Sequence, residues 1–437
     1  MSSGTLHERI RAQVDALPLI DTHEHLQPES DRVRDGADFS LLFIHYAGPD
    51  LMSAGMSQRD HQLLCDRSRP LAERWRAFKP FWRAIHNTSY AKAVRIGIRD
   101  IYGIEDITDR TYRELSERMQ AASRKGLYRR VLREKGGIAK AILCGPPLED
   151  ADLFVDSLYI DGQVNIRSRD EVMRECRAIG ASGCRLEDLV RRLEHHIAFA
   201  AEGGMVATKL GLAYLRTLWI DRPSRSAAED VLARCRRSDG QLSHAEAKPL
   251  CDYLIHEAAR ACGEVGLPMQ IHTGIQEGNG NWIANSDPKG LVRLFMDHPR
   301  TRFDLFHGGY PFTSSFAVLA KNFPNAHANM CWLHCISQSV GRQLLEELID
   351  TVPMSKIFAF GGDYIFVEGA YGHSVMAREN VTRVLCKKIE EGYFTAEQAL
   401  VCARWVMHDA PARFFGIDST STGEEKARRK RAAGAAG

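Results

Sequence analysis

PMQIHTG (268–274), DPKGLVRLFMDHP (287–299) and RFDLFHGG (302–309) follow one another along the chain and read as strand, helix, strand. The two outer runs are short, carry β-branched or aromatic residues and are bounded by Gly or Pro, the pattern of a strand buried on both faces. The middle segment spaces its apolar residues as a helix does. Alternation of this kind implies a parallel α/β sheet.

The rhythm continues outward in both directions. Toward the C terminus it runs through SSFAVLAKNFP (314–324), NAHANMCW (325–332), VGRQLLEELIDTVP (340–353) and KIFAFGGD (356–363). Toward the N terminus lie MVATKLGLAY (205–214), LFVDSLYIDG (153–162), GGIAKAILCG (136–145) and LPLIDTHEH (17–25). The eight candidate strands predict a (β/α)8 TIM barrel, with an open doubly wound sheet as the alternative. A barrel takes roughly 250 residues, and this chain has 437. The surplus falls mainly in 27–135, between strands one and two, and in 215–245, after strand four. The first insert is helical and aromatic (RWRAFKPFWRAIHNTSYAKAVR, 74–95) and is expected to cap the barrel mouth. TAEQALVCARWVMHDAPARFFGI (395–417) is expected to pack on the barrel and close it, ending a single domain over 1–417. Residues 418–437, with the basic cluster Lys426–Arg431, read as a disordered tail.

Composition narrows the partners. Hydrophobic residues make up 44%, charged residues 26%, and the net charge is +2. Nothing there draws the chain to nucleic acid or a membrane, and no apolar run approaches the roughly 18 residues of a membrane span. Charges occupy the first residues where a secretory signal needs an apolar stretch. Eleven cysteines without a CxxC pair fit reduced thiols, so a cytoplasmic location is expected.

The polar residues sit at the strand ends. His23 and His25 close strand one and, two residues apart, face the same side. His272, His307 and Asp363 end strands five, six and eight. In a barrel all five converge on the C-terminal mouth, where this fold builds its active sites. Such a set with one open position describes a catalytic divalent-metal site; nitrogen-rich ligation favours zinc, with manganese or iron tolerated. Asp21 shares the face of the histidines and suits a supporting hydrogen bond. Lys209, on strand four, has three readings: a carboxylated bridge between two metals, an ammonium contacting a substrate carboxylate, or a structural ion pair. Tyr214 and Arg216 follow it, and an arginine fork suits carboxylates, so the small-molecule substrate is expected to be anionic. Trp282 and Tyr310, on the loops after strands five and six, and His373, after strand eight, are further candidates for substrate contact. Cys331, His334 and Cys335 (CWLHC) read as strand-seven packing.

DTHEH (21–25), IHTG (271–274), FHGG (306–309) and GGD (361–363), in that order, are similar to the amidohydrolase superfamily, in particular its amidohydrolase-2 branch. DAPARFFGI (409–417) resembles the Asn-Ala-x-Arg-Leu-Phe-Gly-like ending of that branch. KLGLAYLR (209–216) resembles a segment of the amidohydrolase domain fused to glutamine-synthetase-like proteins, and YAKAVRIGIRDIYGIEDI (90–107) resembles the insert of uronate isomerase. The resemblance implies that His23, His25 and Asp363 bind one divalent metal, that His272 is a further ligand, and that His307 polarises or protonates substrate. It also implies a departure from uronate isomerase, whose pattern lacks a strand-six histidine. The expected reaction is hydrolysis of a C–N bond by metal-activated water, with Asp363 taking the proton. Non-oxidative decarboxylation of an aromatic or enoic acid and sugar-acid isomerisation are the enzymatic alternatives, and a metal-stabilised assembly module is the non-enzymatic one. A second metal on a carboxylated Lys209 is the lesser alternative, and association into a homo-oligomer is expected by analogy.

Overall fold

Eight short strands stand side by side in chain order in the computed structural model, which describes residues 4–417 apart from Ser182. They are β1 (Leu19–Glu24), β2 (Ile138–Leu143), β3 (Phe154–Tyr159), β4 (Ala207–Leu210), β5 (Met269–Ile271), β6 (Phe303–Leu305), β7 (Ala326–Asn329) and β8 (Ile357–Phe358). All seven successive pairings are parallel. The last segment returns to the first: Thr22 N donates to Phe360 O at 3.3 Å, and Asp363 N to His23 O at 2.8 Å. This is a (β/α)8 barrel, and the sequential order excludes the open doubly wound alternative.

The strands are shorter than the apolar runs that announce them. β8 has two residues, and the chain leaves it at Gly361-Gly362 before reaching Asp363. His307 and Asp363, expected at strand ends, lie just beyond them with left-handed backbones (φ 62° and 60°). After β4 the chain turns at once into a tight helical turn, Leu212–Tyr214.

The N-terminal end of the barrel is plugged. Ala410, Phe414, Phe415 and Ile417, at the end of the C-terminal helical segment, pack on Ile20, Val155 and Ala207 near the starts of β1, β3 and β4, and on Ile142 and Phe358. Each buried phenylalanine there contributes about 1.5–3 kcal/mol. The site can therefore open only at the other end. The expected disordered basic tail, 418–437, lies outside the described residues.

Between β1 and β2 the chain is helical, with a core of its own around Phe43, Trp75, Phe78 and Tyr112. The rings of Phe43 and Phe78 stand 4.3 Å apart, and those of Trp75 and Tyr112 stack at 4.9 Å. This insert is joined to the barrel in two ways. Helix Ser89–Tyr102 lies against helix Val367–Glu390, and a Cβ added at Gly97 would come within 2.6 Å of Glu368 O. Buried Arg32 donates to Glu368 Oε1 at 2.6 Å and to Ser123 Oγ at 2.8 Å. No described helix is long and apolar enough to cross a membrane.

Candidate metal centre and substrate cavity

Four imidazoles meet at the open end of the barrel, and for three of them hydrogen bonds to carbonyls decide where the proton sits. His25 Nδ1–H donates to Cys144 O at 2.8 Å, leaving Nε2 with its lone pair inward. His307 Nδ1–H donates to Cys331 O at 3.0 Å, again freeing Nε2. His272 Nε2–H donates to Ile275 O at 3.0 Å, so its inward nitrogen is Nδ1. These tautomers follow from the carbonyl partners. Two pairs of nitrogens then face each other: His23 Nε2 and His25 Nε2 at 3.1 Å, and His307 Nε2 and His272 Nδ1 at 3.0 Å.

His23, whose Nδ1 has no partner, can present Nε2–H to His25 Nε2; between His307 and His272 both facing nitrogens carry lone pairs, which repel unless a cation lies between them. Protons are poor candidates, because burial, together with Lys209 and the neighbouring rings, holds His23, His272 and His307 well below the usual histidine range. Asp363 supplies the negative charge. Its Oδ1 lies 3.7 Å from His23 Nε2 and 3.4 Å from His25 Nε2, and its Oδ2 lies 3.8 Å from His307 Nε2. Ligands about 2.0–2.1 Å from a tetrahedral metal stand about 3.3 Å from one another. The donor set therefore fits a divalent cation between His23, His25 and Asp363. Cys144 joins His23 and His25, and Cys331 joins His307 and Asp363, in sets whose donor atoms lie within 4.8 Å of one another.

Asp363 is held by its neighbours on both sides. Asp21 Oδ1 accepts from Gly362 N at 2.9 Å, and Glu24 Oε2 accepts from Tyr364 N at 2.7 Å. Asp21 thus supports the loop of Asp363; on β1 it also accepts from His23 N at 3.3 Å, while His23 Nδ1 has no partner. The Asp21 and Glu24 carboxyls sit together, both fully buried. Burial pushes Asp21 up to about 6 and Glu24 well above the carboxylate range. A Cβ at Gly362 would overlap Glu24 Oε1, so only glycine leaves room for this pair. A left-handed backbone at a non-glycine residue such as Asp363 is strained, and these bonds hold it there.

A cavity of about 660 Å³ opens over the cluster, lined by His25, Lys209, Tyr214, His272 and Asp363 among the expected residues. Lys209 Nζ stands 3.5 Å from His23 Nε2 and 3.8 Å from the centre of the Phe306 ring. Burial lowers its pKa, and the nearby Asp363 opposes that. Burial in turn raises Asp363, opposed by His25, Lys209 and Tyr46. The Tyr214 ring lies 4.6 Å from that of His272, and its hydroxyl accepts from Glu277 N at 3.0 Å.

Four expected substrate contacts are elsewhere. The turn after β4 carries Arg216 away from the mouth, where its buried guanidinium pairs with Asp252. Trp282 is 80% exposed and does not line the cavity. Tyr310 also lies outside the lining, and its carbonyl accepts from Ile275 N at 2.6 Å. His373 is buried behind the site, donating from Nδ1 to Gly362 O at 3.2 Å beside the ring of Phe360. Other residues take their place on the cavity wall: His45 and Tyr46 from the insert, Cys144 and Tyr159 from the ends of β2 and β3, and Glu277 from the loop after β5. Burial pushes His45 down to about 3.

A family model described as Amidohydrolase matches residues 177–417, which run from before β4 to the end of the described chain and leave His23 and His25 outside the match. Protein fluG of Emericella nidulans is 25% identical over 179 residues, covering 40% of this chain and 21% of fluG, so this chain spans about a fifth of that relative. A uronate isomerase of Nostoc punctiforme is 22% identical over 466 aligned residues, covering 93% of this chain and 94% of the isomerase. The solved uronate isomerase of Thermotoga maritima shares the fold, with a TM-score of 0.76 at 16% identity, over 95% of this chain and all of the other.

Proposed function

Because the chain belongs to the amidohydrolase family, we propose that it is a metal-dependent hydrolase that cleaves a C–N bond in a small, carboxylate-bearing substrate. The observation that carries this reading is the two pairs of facing imidazole nitrogens, His23–His25 and His307–His272, with Asp363 spanning them. His23, His25 and Asp363 Oδ1 would hold the metal, with zinc favoured by the nitrogen-rich set and manganese or iron tolerated. A divalent metal bound there lowers the pKa of water and polarises a carbonyl.

The chain's own groups account for the remaining steps. Asp363 Oδ2, turned toward His307 rather than toward His23, is placed to take a proton from the attacking water and pass it to the leaving nitrogen. His307, fixed by Cys331 O, keeps its Nε2 lone pair 3.8 Å from Asp363 Oδ2, beside the carboxyl that takes up the proton. The Lys209 ammonium, on the cavity wall, attracts the substrate carboxylate. The insert narrows the entrance through His45 and Tyr46.

A second reading, aldose–ketose isomerisation of a sugar acid, has its own support. Proteins named uronate isomerase match more than nine-tenths of this chain, the insert included. Mass spectrometry of the product separates the two: hydrolysis adds the elements of water and incorporates labelled solvent oxygen, whereas isomerisation leaves the mass unchanged. Metal-loaded protein assayed against N-acyl amino acids and uronic acids is expected to release amine from the former. Conversion of uronic acids alone would establish the isomerase, and loss of carbon dioxide from either would establish a decarboxylase.

A further inference from the structure

Cys144 follows β2 at the level where His25 follows β1: Glu24 pairs with Leu143 across the two strands, and Cys144 N donates to Glu24 O at 2.9 Å. The residue then holds His25 from the other side, because its own carbonyl accepts from His25 Nδ1 at 2.8 Å. Its Sγ and one nitrogen from each of His23 and His25 lie mutually within 4.8 Å, and the residue is among those lining the cavity. All eleven cysteines are unpaired and ten are buried, where a thiol ordinarily acts as a small apolar group. Position sets Cys144 apart from that background. Cys331 has the other comparable placement, but it is sealed from the cavity against Gly361, where an added Cβ would lie 2.8 Å from its Sγ.

We propose that Cys144 is a thiolate ligand of the metal held by His23 and His25, so that the centre has mixed nitrogen, oxygen and sulfur ligation. The inference rests on the metal-centre reading above and deepens it. A thiolate in the set selects zinc, cobalt or cadmium over magnesium and manganese, which bind oxygen ligands. On coordination the Cys144 thiol gives its proton to solvent and its sulfur lone pair to the metal, with no change of oxidation state. A sulfur ligand stands farther from the metal than a nitrogen, about 2.3 Å against 2.0–2.1 Å, which suits a strand one place removed from the histidine pair.

Cobalt(II) titration of metal-stripped, full-length protein, followed by absorption spectroscopy, tests this. The unaltered protein is expected to develop a sulfur-to-cobalt charge-transfer band in the near ultraviolet that saturates with binding. The band should vanish in Cys144→Ser, with cobalt affinity at least about tenfold weaker, and persist in Cys331→Ser. Cadmium NMR of the unaltered protein gives the same answer without a substitution, through the downfield shift of a thiolate-bound ion. Cobalt bound in a His23-dependent way without the band would overturn the inference and leave the metal centre standing. A band lost only in Cys331→Ser would also overturn it, by moving the sulfur to β7. No cobalt binding at all would overturn both readings.

Discussion

Asp304, sealed inside the barrel on β6, makes stability depend on pH in a direction that can be worked out. Its Oδ2 accepts from Asn329 Nδ2 at 3.0 Å and from Gln270 Nε2 at 3.1 Å, while Oδ1 has no partner. Burial pushes the carboxyl up to about 7 from the usual 3.8, although both donors and Lys209 oppose the shift. Between those values the folded chain keeps a proton that the unfolded chain has lost. Stability therefore falls as pH rises through that window, and the full penalty is in force above the folded value. Three units at about 1.36 kcal/mol each put the ceiling at about 4 kcal/mol. Asp304→Asn keeps the shape and an acceptor oxygen but cannot ionise. Urea unfolding of chelator-treated protein is the assay. The stability of the variant relative to the parent should improve by about 2.7 kcal/mol between about pH 5 and about pH 8. A difference that stays flat or shrinks as pH rises would refute the reasoning.

Three further substitutions probe the site and its frame. Lys209→Met should lower kcat/KM on a carboxylate-bearing substrate by about 10–100-fold while leaving the metal content at the parental level; a loss of half the metal would instead reveal a carboxylated bridge. Glu368→Gln leaves the buried Arg32 guanidinium without its counter-charge and should destabilise by about 3 kcal/mol in thermal unfolding, with the Arg32→Met/Glu368→Met double variant recovering much of the loss. Gly362→Ala drives a methyl into Glu24 and should weaken metal binding by about 10–100-fold with an unchanged far-ultraviolet spectrum; unaltered affinity would show that the Asp21–Glu24 pair does not hold Asp363.

The barrel was legible because strands buried on both faces write themselves as continuous apolar runs, and because helices must separate parallel neighbours. The convergence of His23, His25, His272, His307 and Asp363 followed once those runs were placed in a barrel. Strand ends were less legible. β8 keeps only Ile357 and Phe358 in its ladder, because Gly361-Gly362 lets the chain turn out and carry Asp363 back to His23 O. Strict alternation also sets Glu24 opposite the histidines, whereas an irregularity in the β1–β2 pairing between Asp21 and Glu24 brings both acids to the same loop. His45 and Tyr46 reach the cavity through the tertiary packing of the insert, which leaves no local period to read. Arg216 looked like a carboxylate fork, but its partner, Asp252, lies on a helix that sequence spacing does not bring near it.

The central claim is that a divalent metal sits between His23, His25 and Asp363, and elemental analysis of freshly purified protein beside a His23→Ala variant tests it most directly. About one zinc per chain is expected in the parent, with its loss from a variant that remains folded. A parent that carries no metal after growth with ample zinc, or a variant that retains the full complement, would contradict it.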